Sequence, residues 1–212
     1  MGNIVKKIVL TGGPSSGKSS SLECIEKHLL NLGYVILIVN ESATELINSG
    51  IKPIGENKIS MIDFQDIILR YQLFKENLIE ETINNYIDKD IVILYDRGVM
   101  DNKAYINDQE FESLLKKYNL YEEDLVNRYD LIIHLETGAK RNYYRTDNNK
   151  ARYNSIKEAI ELDDKTYNAW KNHNNLYKVK CNDDFKLKQR EIIRICDEFL
   201  YKKEVKKLSL VK

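Results

Sequence analysis

The sequence predicts a doubly wound α/β domain, and three observations support this. Five short aliphatic runs recur along the chain, segments with helical periodicity lie between them, and a glycine-rich loop follows the first run. The runs are mostly continuous rather than alternating, which is typical of parallel strands buried on both faces by helices. They occupy residues 8–10, 35–39, 91–94, 131–135 and, more weakly, 176–179.

The loop after the first run fits the phosphate-binding pattern G-x-x-x-x-G-K-[ST] through Gly12, Gly17, Lys18 and Ser19. Its glycines let backbone N–H groups point inward at phosphate oxygens. The lysine can lie between the outer phosphates, the serine can offer its hydroxyl to Mg²⁺, and the helical pattern of residues 20–30 adds a positive N-terminal end. We therefore expect a nucleoside triphosphate to bind here. The predicted binding residues are Gly13, Pro14, Ser15, Ser16, Gly17, Lys18, Ser19 and Ser20.

Charged residues follow the second and third runs, where ligands bind in open parallel sheets. Glu41 comes after the second run, and Asp96 and Arg97 come after the third. Phosphoryl transfer uses one carboxylate to hold Mg²⁺ and another to orient or deprotonate the attacking hydroxyl, and Arg97 suits a phosphate. We expect Asp96 to hold the metal together with Ser19. For Glu41, an acid that opens the next helix is the alternative.

The longest helical segment runs from about residue 60 to residue 87. Its apolar residues form one broad stripe, which predicts the buried face of the helix. The stripe consists of Ile67, Ile68, Tyr71, Phe74, Leu78, Ile79, Ile83 and Tyr86.

A cation-rich stretch follows the fourth run, over residues 136–153. Mobile cations that close over a triphosphate exclude water, so we expect a lid that carries Arg141, Arg145 and Arg152. Simple solvated charge is the alternative. After the fifth run, Asn182 or Asp183 could hydrogen-bond the nucleobase, and the favoured alternative is that Asp183 or Asp184 caps the last helix.

The composition limits the classes of binding partner and the cellular compartment that we expect. The 212 residues carry 33 basic and 33 acidic side chains, so no global charge draws the chain to nucleic acid or to a membrane surface. Three cysteines without a close pair argue against disulfides and against a cysteine zinc site, which favours the cytoplasm. No signal peptide or membrane span is expected. A homodimer is an open alternative to a monomer.

Only two prolines occur, and no proline-rich linker divides the chain. We expect one nucleotide-binding domain over residues 1–202 and a basic, solvated tail over residues 203–212. The three histidines lack metal-ligand spacing, and Trp170 is expected to be a packing residue.

Several short motifs, taken in order, resemble the AAA-type P-loop domain of the TRPL translocation defect protein. That domain is similar to the ribosylnicotinamide kinase domain of bifunctional NAD regulators and, more distantly, to deoxynucleoside kinases. The resemblance covers nearly the whole chain. The motifs are Thr11–Ser20, Asn40–Thr44, Tyr95–Asp101, Tyr129–Leu135, Asn148–Tyr153 and Asn182–Phe185.

This resemblance implies a P-loop three-layer sandwich of the nucleotide-kinase type, with strand order 2-3-1-4-5 and an arginine-bearing lid. It implies that Glu41 activates the acceptor hydroxyl and that Asp96 and Arg97 form the acid–arginine pair after the third strand. Phe64 and Gln65 resemble a phenylalanine–glutamine pair that lines the acceptor pocket, which gives Gln65 a base-contacting role.

Two functions follow. The first is an ATP- and Mg²⁺-dependent kinase that transfers the γ-phosphoryl group to a nucleoside-like or other small-molecule hydroxyl. The second is a regulatory NTPase or switch that binds ATP or GTP without a small-molecule acceptor. The kinase hypothesis requires a pocket near Glu41 and Gln65 that is large enough for a nucleoside. A nucleic-acid motor is disfavoured by the neutral charge and the short chain.

Overall fold

The computed structural model describes residues 4–141 and 155–209. Its five strands form one parallel sheet in the order β2-β3-β1-β4-β5, which confirms the predicted fold class and strand order. All five aliphatic runs lie in strands. The strands are β1 (Val5–Thr11), β2 (Val35–Val39), β3 (Ile91–Asp96), β4 (Leu131–Leu135) and β5 (Leu176–Val179).

Helices connect these strands and cover both faces of the sheet. Short 3₁₀ segments occupy Ile83–Asn85, Val99–Ala104 and Gly138–Arg141. Within the described ranges, the α-helices are α1 (Lys18–Asn31), α2 (Ser42–Asn48), α3 (Met61–Thr82), α4 (Asp108–Lys117), α5 (Glu122–Val126), α6 (Ile156–Ala169) and α7 (Phe185–Ser209). The backbone of α7 thus continues past residue 203, where the tail is predicted to begin.

The core has two halves, one on each face of the sheet. Alternate residues of β1 and β3, such as Val9 and Ile93, pack with α3, α4 and the end of α6. Their neighbours, such as Ile8 and Leu94, pack with α1 and α7. Continuous aliphatic strands arise because each face of the sheet has its own layer of helices.

The apolar stripe predicted for α3 is wrong at Phe74 and Leu78, which are 61% and 51% exposed. The buried face of α3 instead includes the polar residues Gln65, Gln72 and Glu76. The Glu76 carboxylate is fully buried and accepts hydrogen bonds from Arg128 Nε (2.8 Å) and Tyr129 Oη (2.7 Å). A buried carboxylate is tolerated only with such partners, and these partners set the rotation of α3.

Three further predictions concern single residues or the whole chain. Trp170 is fully buried, with its ring 5.5 Å from that of Tyr129, so its packing role is confirmed. All three cysteines are free. Within residues 4–141 and 155–209, no helix has the combination of length and apolar character that a membrane span requires.

Candidate functional site

The carboxyl ends of β1, β2 and β3 open onto a cavity of about 750 Å³. Sheet register brings the predicted site residues together here, because Val39 pairs with Tyr95 and Leu10 pairs with Asp96. Ligand pockets typically measure about 300–1,000 Å³. The predicted residues that line the cavity are Pro14, Ser15, Ser16, Gly17, Lys18, Ser19, Ser20, Glu41, Gln65, Asp96 and Arg97.

The phosphate loop forms one wall of this cavity. Gly12 has a φ of +139°, and a Cβ at this position would lie 2.1 Å from Leu135 O, so only glycine fits. Lys18 Nζ lies 3.2 Å from Gly12 O and 3.4 Å from Gly13 O. Burial and the neighbouring Arg97 lower the pKa of Lys18 to about 8. The lysine therefore lies within its own loop, close to the position where phosphates are expected.

Gly13 is the one predicted nucleotide-binding residue of the phosphate loop that does not line the cavity. Its N–H donates to Asp163 Oδ1 of α6 at 2.9 Å. Asp163 also accepts from Thr137 N at 3.1 Å and from Lys140 Nζ at 2.9 Å. Helix α6 therefore holds the base of the loop through a buried carboxylate.

Glu41 and Arg97 form an ion pair in the middle of the cavity wall. Arg97 Nε donates to Glu41 Oε1 at 2.5 Å, and Thr44 Oγ1 donates to Glu41 Oε2 at 2.5 Å. Glu41 is the N-cap residue of α2, but its side chain makes no capping hydrogen bond. Burial acts to raise the pKa of Glu41, but Arg97 and Lys18 outweigh it and lower the pKa to about 2. The carboxylate thus stays ionised and faces the site rather than the helix.

The backbone of Arg97 adopts a left-handed conformation, with a φ of +73°. Such a conformation costs on the order of 1–3 kcal/mol in a non-glycine residue and persists only where its surroundings fix it. Here Gln72 Nε2 donates to Arg97 O at 3.0 Å, and Arg97 Nη1 donates to Asp101 Oδ2 at 3.2 Å. The strained turn places the guanidinium against Glu41 and Asp101.

Asp96 is the carboxylate best suited to a cation. Among the described residues, its buried Oδ1 has no hydrogen-bond partner, and burial raises the pKa of the group. Ser19 lies on the first turn of α1 and lines the same cavity. No group of three or more His, Cys, Asp or Glu side chains within the described ranges forms a metal site. A Mg²⁺ ion needs no such group, since one or two carboxylates and substrate phosphates suffice.

The wall beyond Glu41 is mainly apolar. It combines Gln65 and Tyr105 with a set of aliphatic and aromatic side chains. Gln65 is almost fully buried, and Gln72 follows it two turns later on the same face of α3. The apolar members are Ala43, Ile47, Pro53, Ile54, Met61, Phe64, Ile68 and Ala104, and α6 adds Glu158, Glu161, Leu162 and Lys165 to the lining of the cavity. This side of the cavity can enclose a flat apolar group with a few polar contacts.

The structure does not bring every predicted residue to the cavity. Arg141 is half-exposed and lies 3.5 Å from Asp183 Oδ1, and neither residue lines the cavity. Asn182 is exposed, and Asp184 Oδ1 accepts from Lys186 N at 2.8 Å as a cap of α7. The nucleobase role of Asn182 and Asp183 and the lid role of Arg141 stay predictions. Arg145 and Arg152 lie outside the described residues.

Sequence reasoning missed three buried side chains that hold the site. Asp101 accepts from Thr11 Oγ1 (2.7 Å), Trp170 Nε1 (2.6 Å) and Arg97 Nη1 (3.2 Å). Asp163 and Lys188 contact the phosphate loop from α6 and α7. Asp101 falls four residues after Arg97 within a motif already noted, which is a usable signal. Nothing in the local sequence marks Asp163 or Lys188.

The phosphate loop at the carboxyl edge of a parallel sheet, with acidic and basic groups facing it, defines a nucleotide-binding, kinase-like P-loop domain. Residues 7–186 match the family model described as AAA domain, and the chain belongs to that family. Over 100 residues it is 28% identical to the thymidylate kinases of Thermoanaerobacter sp. (strain X514) and Thermoanaerobacter pseudethanolicus (strain ATCC 33223 / 39E). These matches cover 47% of this chain and 49% of each relative, so the chain spans about half the length of the curated relatives it matches.

Proposed function

We propose that the protein is an ATP-dependent kinase that phosphorylates a hydroxyl group of a nucleoside-like or other small molecule. The observation that carries this proposal is a single cavity whose lining combines the phosphate loop, the Glu41–Arg97 pair and a set of apolar side chains. A nucleotide switch needs the loop but not the apolar wall. The two-sided cavity therefore favours a transferase with a second substrate.

The charges at the acceptor side favour a neutral hydroxyl over a second phosphate. Arg97 is already paired with two carboxylates, those of Glu41 and Asp101. The other cation that lowers the pKa of Glu41 is Lys18, which belongs to the phosphate loop and is assigned to the donor phosphates. A phosphate at the reacting position would face the ionised Glu41, and two negative charges at contact distance repel each other. A hydroxyl instead donates a hydrogen bond to that carboxylate.

In the proposed reaction, the acceptor hydroxyl oxygen attacks the γ-phosphorus while the bond to the β,γ-bridging oxygen breaks and ADP leaves. The low pKa of Glu41 makes it a weak base towards a free hydroxyl, so it first acts by orienting the hydroxyl. Phosphoryl transfer has a loose transition state that needs little early deprotonation. The hydroxyl becomes acidic as its oxygen bonds to phosphorus, and the proton then passes to Glu41. Lys18 and Arg97 balance the negative charge of the transferred group.

Ser19 and Asp96 are the residues that would hold Mg²⁺. The buried, unpartnered Oδ1 of Asp96 and the hydroxyl on the first turn of α1 are the oxygen donors that this ion prefers. When bound, the ion supplies neutralisation of the phosphate charge.

The direct test measures ADP release from ATP, and GDP release from GTP, against a panel of nucleosides and pyridine ribosides. We expect ADP formation to depend on one class of acceptor and to match the appearance of a phosphate monoester. Hydrolysis that proceeds at the same rate with and without every acceptor, and that is unchanged by Glu41→Gln, would favour the switch hypothesis and reject the kinase.

A further inference from the structure

Three consecutive carbonyl groups of the phosphate loop are bound from outside the loop. Thr137 Oγ1 donates to Pro14 O at 2.5 Å, and Gly138 N donates to Ser15 O at 3.2 Å. Lys188 Nζ donates to Ser16 O at 2.8 Å. The donors come from the segment after β4 and from α7, which are remote in sequence from the loop.

These contacts fix the direction of the loop's N–H groups. In a planar trans peptide the C=O and N–H bonds point in opposite directions, and the described chain has no cis peptide. A carbonyl held against the protein therefore turns the N–H of the following residue towards the cavity. The three bound carbonyls in this way direct the N–H groups of Ser15, Ser16 and Gly17.

The backbone conformation of the loop agrees with this orientation. Ser15 and Gly17 have φ values of +56° and +83°, on either side of Ser16. Left-handed residues that alternate with ordinary ones bring successive N–H groups to the concave side, as in an anion-binding nest. A non-glycine residue such as Ser15 holds this conformation only where its neighbours fix it.

Lys188 is the unusual member of this set. Only 4% of the residue is exposed, and its ammonium donates to two backbone carbonyls, those of Ser16 and Glu136 (2.9 Å). Burial lowers the pKa of Lys188, which means that its charge is held at a cost. A buried ammonium group is an expensive way to satisfy two carbonyls, and a role at the loop explains its presence.

We propose that Thr137, Gly138 and Lys188 are positioning residues that hold the phosphate loop in its anion-binding conformation before the nucleotide arrives. They touch the loop from behind and do not line the cavity. Their contribution is preorganisation, which strengthens binding by removing the need to order the loop. This inference rests on the nucleotide site of the proposed function and is independent of the acceptor.

The test compares the affinity for Mg²⁺·ADP, measured by calorimetry, with the melting temperature of the nucleotide-free protein. Lys188→Met removes one donor with little change in size, and Thr137→Val removes another without changing charge. We expect Lys188→Met to weaken ADP binding on the order of tenfold or more and Thr137→Val about threefold to tenfold. A purely structural role would lower the melting temperature and leave the affinity of the folded protein unchanged.

One matched control is available for each test variant. Lys186→Met removes an exposed lysine from the first turn of α7, and Thr166→Val removes a buried hydroxyl that donates to Leu162 O within α6. Both should bind ADP within about twofold of wild type.

Each outcome decides the inference. Wild-type ADP affinity in both test variants overturns the inference. A loss of affinity confined to Lys188→Met also overturns it, because the effect would then come from the lost positive charge and not from the orientation of the loop. If Lys188→Met does not fold, Thr137→Val decides. A wild-type protein that binds neither ADP nor ATP rejects the nucleotide site itself, which is a different result.

Discussion

The two sides of the cavity that the proposed function assigns to the phosphate donor and to the acceptor are built in different ways. The donor side comes from one continuous segment, residues 12–20, whose glycines and Lys18 shape their own backbone. The acceptor side comes from separate elements: Glu41 after β2, Gln65 in α3, and Arg97 after β3. The loop residues are adjacent in sequence, although groups from other elements hold their backbone, whereas Glu41, Gln65 and Arg97 become neighbours only when the sheet is assembled.

Sheet register is what creates the acceptor side. The pairing of Val39 with Tyr95 makes the chains that leave β2 and β3 emerge side by side, and Glu41 then meets Arg97. If β2 slipped by one residue against β3, every side chain of β2 would turn to the opposite face of the sheet. The two sides should therefore respond differently to substitution, and three tests examine this separation.

The largest effect is expected from Glu41→Gln. The amide cannot take the acceptor proton or pair with Arg97 as an anion, so the transfer rate should fall on the order of 10²- to 10⁴-fold. Affinity for Mg²⁺·ADP should stay within about threefold, because the donor side is unchanged. Steady-state kinetics with the acceptor found in the panel, combined with calorimetry of ADP binding, measure both quantities.

Glu45→Gln is the matched control for this variant. Glu45 lies on α2 like Glu41, but it pairs with Lys75 at 2.5 Å and does not line the cavity. Its transfer rate should be close to wild type. Equal losses in both variants would mean that α2 is damaged generally and that the two sides are not separable.

The pH dependence of nucleotide binding is the second test. The pKa of Lys18 is about 8 in the nucleotide-free protein, and bound phosphates raise it because they favour the charged form. Above pH 8, binding must therefore take up a proton, and ADP affinity should fall by up to about tenfold per pH unit. Calorimetry in two buffers of different ionisation enthalpy measures the proton uptake directly.

The stability of the nucleotide-free protein should change in the opposite direction. Unfolded Lys18 has a pKa near 10.5, so between pH 8 and 10.5 the unfolded chain binds more protons than the folded one. The contribution of Lys18 to folding stability then rises with pH over this window. Lys18→Met should remove both trends, and Lys27→Met, an exposed lysine on α1, should remove neither. An unchanged pH profile in Lys18→Met would show that another group titrates.

Thr44→Val should give the smallest effect. It removes the hydroxyl that donates to Glu41 Oε2 while it keeps the shape of the side chain. The pKa of Glu41 should rise, because this hydrogen bond helps to lower it. We expect a change of about two- to tenfold in the transfer rate and none in ADP affinity. A larger loss of ADP affinity than of rate would contradict the separation of the two sides.

The sequence predicts the features that depend on local pattern. All five strands, the order of the sheet and the phosphate loop follow from aliphatic runs, motif spacing and the resemblance drawn from them. Glu41 and Asp96 were found because the carboxyl ends of parallel strands share one edge. These features need no knowledge of distant contacts.

The remaining features depend on tertiary contacts that leave no local signal. Phe74 and Leu78 were expected to be buried, yet the buried carboxylate of Glu76 and its partners turn the other face of α3 inward. Likewise, Lys188 looks like any lysine of an amphipathic helix until α7 packs beside the loop. Polar side chains that are buried because they hold other groups in place contradict the hydrophobic periodicity from which burial is predicted.

The indole of Trp170 gives the molecule a built-in optical probe. It is the chain's one tryptophan, and its Nε1 donates at 2.6 Å to the carboxylate that also holds Arg97. Indole emission responds to nearby charge, so a shift of Arg97 or Asp101 on ligand binding would change the fluorescence of a single, fully buried fluorophore. If an acceptor binds as proposed, its occupancy should therefore be measurable in the native protein without any label.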